Sequence, residues 1–136
     1  MTSRLQRLYQ QAEAMGLQVY FLPMQTRCGI STPDGTIGMD SNRQKSTAEE
    51  LVCLAHEMGH CMTGSFYTAE ADLLQRRRCE ARADRWAYRQ LVPLDELRRL
   101  LARGVTRTDE LAEHFGVTED FLRDCLAYYR NAKNTI

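Results

Sequence analysis

One stretch of sequence, residues 51–62, limits most strongly how this chain can fold. Its residues are apolar or small except for His56, Glu57 and His60. A helix of this composition is buried on most sides, because only a narrow polar stripe interrupts its apolar surface. The two histidines are four residues apart, so they lie one above the other on the same helical face. The stretch therefore predicts a buried helix that carries two imidazoles and one carboxylate into the protein.

These three buried polar groups need partners. An uncompensated polar group costs roughly 2–7 kcal/mol when it leaves water, and a zinc ion held by both imidazoles removes that cost. The sequence HEMGH fits the H-E-x-x-H pattern, in which the glutamate acts as general base toward a bound water. We therefore predict His56 and His60 as metal ligands and Glu57 as the catalytic base. A stripe that simply faced solvent would be expected to include lysine, arginine or glutamine.

A catalytic zinc needs a third protein ligand and an open position. The segment CEARADRWAYRQLVP places Glu80 and Asp84 four residues apart on one helical face, with the small residues Ala83 and Ala87 nearby. Glu80 is the predicted third ligand, and Asp84 is the predicted carboxylate that orients a ligand histidine. Ordinary surface charge is the competing interpretation, since five arginines surround the pair.

Some roles have alternative candidates. Glu70 or Asp72 could supply the third ligand in place of Glu80. The group that stabilises the oxyanion during hydrolysis is not identified by any pattern, and Tyr67 and Tyr88 are the candidates. Gly59, inside the motif, costs roughly 1 kcal/mol relative to alanine in a helix, so we expect it to permit close packing against a neighbouring element.

The order of the predicted elements, with the strands near the N-terminus followed by helices, indicates an α+β fold. The predicted elements are a helix over 2–15, a strand over 17–23, a hairpin over 27–40, long helices over 46–63 and 69–92, and three short helices in 93–136. The small antiparallel sheet or hairpin would pack on a zincin-like H-E-x-x-H helix and on the second long helix. Residues 1–92 form the predicted metallopeptidase core, and residues 93–136 form a helical tail on or beside it.

Charge and cysteine content exclude several classes of protein. The formal net charge is zero, from 18 basic and 18 acidic residues, which gives no reason to expect nucleic acid or an anionic membrane as partner. The five cysteines are odd in number and include no C-x-x-C pair, so we expect a reduced, cytoplasmic protein whose buried cysteines act as small hydrophobic residues. No apolar run approaches membrane-spanning length.

The segment LAHEMGH, followed by EARADRWAYRQLVP, resembles the active-site helix and the E-x-x-A-[ND]-x-[FW]-A…L-x-P segment of the ImmA/IrrE-type metallopeptidases. DGTIGMD is similar to the strand that precedes their active-site helix, and DELAEHFGVTEDFL is similar to the tail of many members. Asp84 and Trp86 stand where asparagine and phenylalanine are more usual. Arg82 replaces a frequent acidic residue, so we assign it no ligand role.

The resemblance implies a zinc-dependent endopeptidase, with manganese as an alternative ion, in which His56, His60 and Glu80 bind the metal and Glu57 is the base. Members commonly act on a helix-turn-helix transcriptional repressor of a phage, mobile element or stress regulon, often encoded next door. Larger members carry an N-terminal DNA-binding domain for which this chain has no room, so we expect the repressor to be a separate protein.

Two other functions compete with peptide hydrolysis. The chain could bind and inactivate a repressor without cutting it, although a pure binder has no need of Glu57. The tail has helix-turn-helix patterning, but between residues 106 and 130 it carries three arginines against six acidic residues, so phosphates would repel it. For a peptidase, we expect an extended substrate to pair with an edge strand near residues 36–40.

Overall fold

The computed structural model describes residues 3–132 and has the predicted α+β architecture. Its helices are α1 (Arg4–Ala14), α2 (Thr47–Thr63), α3 (Leu73–Leu91), α4 (Leu94–Ala102), α5 (Thr108–Phe115) and α6 (Glu119–Asn131). Its strands are β1 (Gln18–Phe21), β2 (Gly29–Ser31) and β3 (Thr36–Met39), and a short 3₁₀ turn at Ser41–Arg43 precedes α2. Among the described residues, no helix is both long enough and apolar enough to cross a membrane.

The sheet contains the predicted hairpin and one further strand. Strands β2 and β3 pair antiparallel, and β1 pairs parallel with β3, so the strand order is β1-β3-β2. The expectation of a free edge near residues 36–40 is therefore wrong. Ile37 and Met39 are fully buried, as central-strand residues with neighbours on both sides should be. The hairpin turn depends on Gly35, whose φ of +89° suits glycine.

Helix α2 lies in the centre of the molecule and begins where the sequence predicted. Ser46 is its N-cap, and the Ser46 hydroxyl accepts a hydrogen bond from the backbone N–H of Glu49 at 3.1 Å. The helix ends at Gly64, which adopts the left-handed conformation with φ +64°. Leu54 and Met58 between these ends are fully buried. Burial of this apolar surface fixes the helix that carries the H-E-x-x-H motif.

Helices α2 and α3 cross in direct backbone contact at Gly59. A Cβ atom on Gly59 would lie 2.5 Å from the carbonyl oxygen of Ala83. Ala83 and Ala87 on α3 are both fully buried, as their small size in the sequence predicted. The expectation that Gly59 permits close packing is confirmed, and this crossing sets the distance between the two helices that carry the candidate ligands.

The C-terminal helices share the hydrophobic core with the rest of the chain. One cluster of buried side chains runs from Leu8 in α1 to Tyr129 in α6. The Tyr129 hydroxyl donates to the Val92 carbonyl at 2.7 Å, and an Arg4 guanidinium nitrogen donates to the Phe115 carbonyl at 3.1 Å. The tail helices thus hold the end of α3 and the beginning of α1 in place.

The cysteines depart from the prediction of an entirely reduced protein. Cys28, just before β2, forms a disulfide with Cys53 of α2, and their Cα atoms are 6.4 Å apart. Cys53 is buried as predicted, but as half of this bridge. The pairing depends on the docking of β2 against α2, which the spacing of cysteines along the sequence does not encode. A bridge across 25 residues stabilises a fold by about 3 kcal/mol.

Candidate metal centre and active site

The structure brings together the three predicted ligands. The Nε2 atoms of His56 and His60 lie 3.1 Å apart on one face of α2. Glu80 reaches them from α3, with its two carboxylate oxygens 2.8 Å from His56 Nε2 and 3.1 Å from His60 Nε2. All three ligand atoms lie within 4.8 Å of one another. This is the arrangement that the helical spacing of both segments predicted.

The outer nitrogens of both imidazoles are also engaged. His56 Nδ1 lies 2.8 Å from a carboxylate oxygen of Asp84, and His60 Nδ1 lies 2.6 Å from the backbone carbonyl of Ser65. Carboxylate and carbonyl oxygens only accept hydrogen bonds at neutral pH, so both Nδ1 atoms donate. Asp84 lies where the sequence predicted the orienting carboxylate. Ser65 was not predicted, because its contribution is a backbone oxygen that any residue type supplies.

This bonding pattern fits a divalent metal. Because both Nδ1 atoms donate, the Nε2 lone pairs of His56 and His60 face each other at 3.1 Å and need a cation between them. Ligand atoms bound to a tetrahedral zinc at about 2.0–2.1 Å would lie about 3.3 Å apart, close to the observed separations. Two imidazoles and one carboxylate form a set that zinc accepts while keeping an open position. The trio thus fits a metal-dependent peptidase.

The alternative ligands lie outside this trio. Asp72 is the N-cap of α3, where its carboxylate accepts from the backbone N–H of Gln75 at 2.8 Å. Glu70 is exposed in the preceding loop. Cys79, the sequence neighbour of Glu80, is also outside the trio, and its thiol contacts the Phe66 carbonyl at 3.5 Å. Within the described residues, the candidate metal cluster consists of His56, His60 and Glu80 alone.

Glu57, the predicted base, has a hydrogen-bond partner that the sequence did not predict. Its carboxylate is 7% exposed and accepts a hydrogen bond from the Ser31 hydroxyl at 2.8 Å. Ser31 belongs to β2, which packs closely against α2. A Cβ atom on Gly29 would lie 3.0 Å from both Glu57 Cγ and Cys53 Sγ. The edge strand β2 therefore packs directly against helix α2 at the position of Glu57.

A cavity of about 600 Å³ opens over these residues. Its lining includes the three candidate ligands and Glu57, the edge strand β2, and the loop that joins α2 to α3. Tyr67 in that loop donates a hydrogen bond to Glu80 at 3.1 Å. Tyr88 instead packs its ring against Phe121 and Tyr128, with centroids 5.2 and 5.6 Å away. Of the two candidate tyrosines, Tyr67 thus lines the cavity and Tyr88 does not.

Residues 12–126 match the family model of the peptidase M78 family, described as the IrrE N-terminal-like domain. The chain belongs to this family. The match spans both long helices and all the residues of the candidate site, so the resemblance to ImmA/IrrE-type metallopeptidases is confirmed. Comparison of the chain with curated proteins gives no match.

In this M78 peptidase the pKa shifts of His56, His60 and Glu80 favour a positive charge between these three side chains. Burial opposes a charge on His56, but hydrogen bonds to Asp84 and Glu80 outweigh burial and raise the His56 pKa to about 10. The pKa of His60 is also raised, since contacts with Glu80 and the Ser65 carbonyl exceed the effect of burial. Hydrogen bonds from both histidines lower the pKa of Glu80. A metal-free site therefore holds a proton where a metal would bind.

Metal binding by this M78 peptidase is expected to release at least one proton at pH 7. The His56 pKa is raised from 6.5 to about 10, so protonation stabilises the metal-free fold fully below pH 6.5 and this contribution is lost as the pH rises toward 10. A metal needs the bare Nε2, so zinc affinity should rise about tenfold per pH unit for each proton released. Titration calorimetry at pH 7 in two buffers of different ionisation enthalpy measures this release. Equal heats in both buffers would contradict the expectation.

Proposed function

We propose that this chain is a zinc-dependent endopeptidase that hydrolyses peptide bonds of a helix-turn-helix transcriptional repressor. One observation carries the proposal. A nearly buried carboxylate, Glu57, lines the same cavity as three converging side chains that could hold a metal ion. Membership of the peptidase M78 family supports the same reaction class. A protein that only bound its partner would have no use for a base next to a metal centre.

The residues of the site divide the chemistry among them. His56, His60 and Glu80 would hold a zinc ion, which would supply Lewis acidity toward water and the peptide carbonyl. Glu57 accepts the proton of the attacking water and passes it to the leaving amine. Ser31 binds one oxygen of the Glu57 carboxylate, so the other oxygen is the one that takes the proton. Asp84 and the Ser65 carbonyl keep both imidazoles in the tautomer that binds metal through Nε2.

Strand β2 offers a way to hold the substrate. The sheet order β1-β3-β2 leaves β2 at an edge, and Gly29, Ile30 and Ser31 all line the cavity. An extended peptide can add to such an edge through main-chain hydrogen bonds. The sequence predicted that a substrate pairs with residues 36–40. The strand order instead favours β2 as the strand with which a substrate pairs. A substrate paired there would run past Glu57, which Ser31 contacts directly.

The acidic character of α5 and α6 supports a protein rather than a DNA substrate. Asp109 and Glu110 lie in the first turn of α5, and Glu119 and Asp120 lie in the first turn of α6. The apolar faces of these helices, which include Leu111, Phe115 and Leu122, are buried in the shared core. Negative charge at both helix N-termini repels phosphates, so contact with the repressor protein is favoured over contact with its operator.

Incubation of the purified protein with the repressor encoded beside its gene tests the proposal. With added zinc or manganese we expect one cleavage in the repressor, detected by mass spectrometry of the intact products. A chelator should stop the reaction, and excess metal should restore it. A stable complex that leaves the repressor intact with either metal would instead indicate a binder that acts without cutting. Measurable, salt-dependent affinity for duplex DNA would contradict the choice of protein over DNA.

A further inference from the structure

We infer that Tyr67 is a catalytic residue whose phenol hydroxyl donates a hydrogen bond to the scissile carbonyl oxygen as that oxygen becomes negatively charged. The inference rests on the proposed peptidase function. It assigns a role that the H-E-x-x-H helix and the third ligand leave unfilled. Hydrolysis of an amide places charge on the carbonyl oxygen, and a donor aimed at this oxygen stabilises the transition state more than the substrate.

The position of the hydroxyl carries the inference. Tyr67 lines the same cavity as Glu57. Its hydroxyl lies 3.1 Å from Glu80 Oε1, and this same oxygen lies 3.1 Å from His60 Nε2. The phenol oxygen is therefore one hydrogen bond away from the atoms that would surround the metal. A substrate carbonyl placed over the trio would meet the hydroxyl if its hydrogen bond shifted from Glu80 to the substrate.

Neighbouring groups hold the Tyr67 ring in place. The guanidinium carbon of Arg76 lies 5.5 Å from the centroid of the ring. Arg76 is itself fixed, because its guanidinium donates to the carbonyls of Ala69 and Ala71 at 2.6 and 3.0 Å. The Cys79 thiol contacts the carbonyl of Phe66, the residue that precedes Tyr67 in the loop. A donor fixed before the reaction needs little reorganisation during it, which is the condition for strong electrostatic stabilisation.

Three other donors near the cavity, Ser31, Arg76 and Tyr88, are occupied or differently placed. The Ser31 hydroxyl donates to Glu57, and the Arg76 guanidinium binds two backbone carbonyls. Tyr88 packs between the rings of Phe121 and Tyr128, and it is not among the residues that line the cavity. Tyr67 is the neutral donor that touches the ligand trio directly.

The proposed step balances in protons and electrons. The water oxygen bonds to the carbonyl carbon, the water proton moves to Glu57, and the carbonyl electron pair moves onto oxygen. Tyr67 donates a hydrogen bond to that oxygen and keeps its own proton. When the electron pair returns, the carbon–nitrogen bond breaks and Glu57 passes its proton to the amine. Removal of one oxyanion donor lowers kcat by about 10²–10³-fold in comparable sites.

Tyr67→Phe tests the inference, with Tyr88→Phe as the matched control. The phenylalanine keeps the ring that Arg76 covers, so the melting temperature should stay unchanged. A peptide library made from a bacterial proteome serves as substrate with zinc added, and the best peptide it yields provides kcat and KM. For Tyr67→Phe we expect a kcat about 100-fold or more lower with a similar KM. Tyr88→Phe should retain the wild-type kcat.

Zinc affinity, measured by competition with a chelating dye, separates catalysis from positioning. An oxyanion donor predicts unchanged zinc affinity in Tyr67→Phe. It also predicts that affinity for a phosphinate analogue of the cleaved peptide falls by the same factor as kcat. Zinc affinity reduced 10–100-fold, with kcat restored by excess zinc, would overturn the inference and leave Tyr67 as a group that only orients Glu80. An unchanged kcat would overturn it as well. Absence of any Glu57-dependent cleavage by the wild type would overturn the proposed function itself.

Discussion

Glu57→Gln is expected to lower kcat/KM for peptide cleavage by roughly a hundred- to ten-thousandfold, the contribution of a positioned general base. Glutamine has nearly the shape of glutamate, and its amide oxygen can still accept the hydrogen bond that the Ser31 hydroxyl donates at 2.8 Å. An amide cannot take a proton from water, so only the proton transfer is removed. The loss should appear in the rate of repressor cleavage measured by mass spectrometry.

Two controls make this result specific. Glu13→Gln changes an exposed glutamate of α1 and should leave the cleavage rate at the wild-type value. Zinc affinity of Glu57→Gln should also stay near the wild-type value, because the candidate metal cluster among the described residues is His56, His60 and Glu80. Wild-type cleavage by Glu57→Gln would remove the carboxylate from the mechanism. Retention of repressor inactivation by this variant without cleavage would favour a binder.

Gly59→Ala is expected to lower the free energy of unfolding by about 2 kcal/mol or more and to weaken zinc binding as well. The new Cβ atom would lie 2.5 Å from the Ala83 carbonyl oxygen. Overpacking of this kind costs about 1–3 kcal/mol, and a backbone atom cannot rotate away, so the upper end applies. The better helix propensity of alanine offsets only about 1 kcal/mol. Urea denaturation followed by circular dichroism measures the loss.

Zinc binding should weaken because the same crossing positions the ligands. His56 and His60 flank Gly59 on α2, and Glu80 lies one turn before Ala83 on α3. Separation of the helices would move Glu80 away from both imidazoles, and metal sites tolerate deviations of only about 0.2 Å. Gly64→Asn is the control, since no atom lies within 4 Å of a Cβ there. An unchanged urea midpoint for Gly59→Ala would show that α2 and α3 separate freely.

The parts of the site that could be predicted lie on single helices. His56, Glu57 and His60 stood out because a buried helix with three polar residues needs a physical reason for each of them. Glu80 and Asp84 followed from the same four-residue spacing. The link between the two helices was visible in Gly59, because glycine is unfavourable inside a helix unless close approach requires it, and in the small size of Ala83.

The parts that could not be predicted depend on contacts between distant segments. Ser31 meets Glu57 across 26 residues, and Cys28 meets Cys53 across 25. Both contacts follow from the docking of β2, a strand of three residues too short to show a periodic pattern. The central position of β3 was missed for the same reason. Sheet order is set by pairing between strands, which the sequence of one strand does not contain.

If substrates pair with the edge of β2 as proposed, that edge limits which proteins this peptidase can attack. Residues already paired in a helix or sheet have no free main-chain groups to offer a neighbouring strand. A target segment must first leave its own fold, and the free energy of that local opening adds directly to the barrier for cleavage. Repressors of similar sequence should therefore be cut at rates that follow the local stability of the scissile segment. A partner or stress that loosens that segment would trigger cleavage without any change in the peptidase.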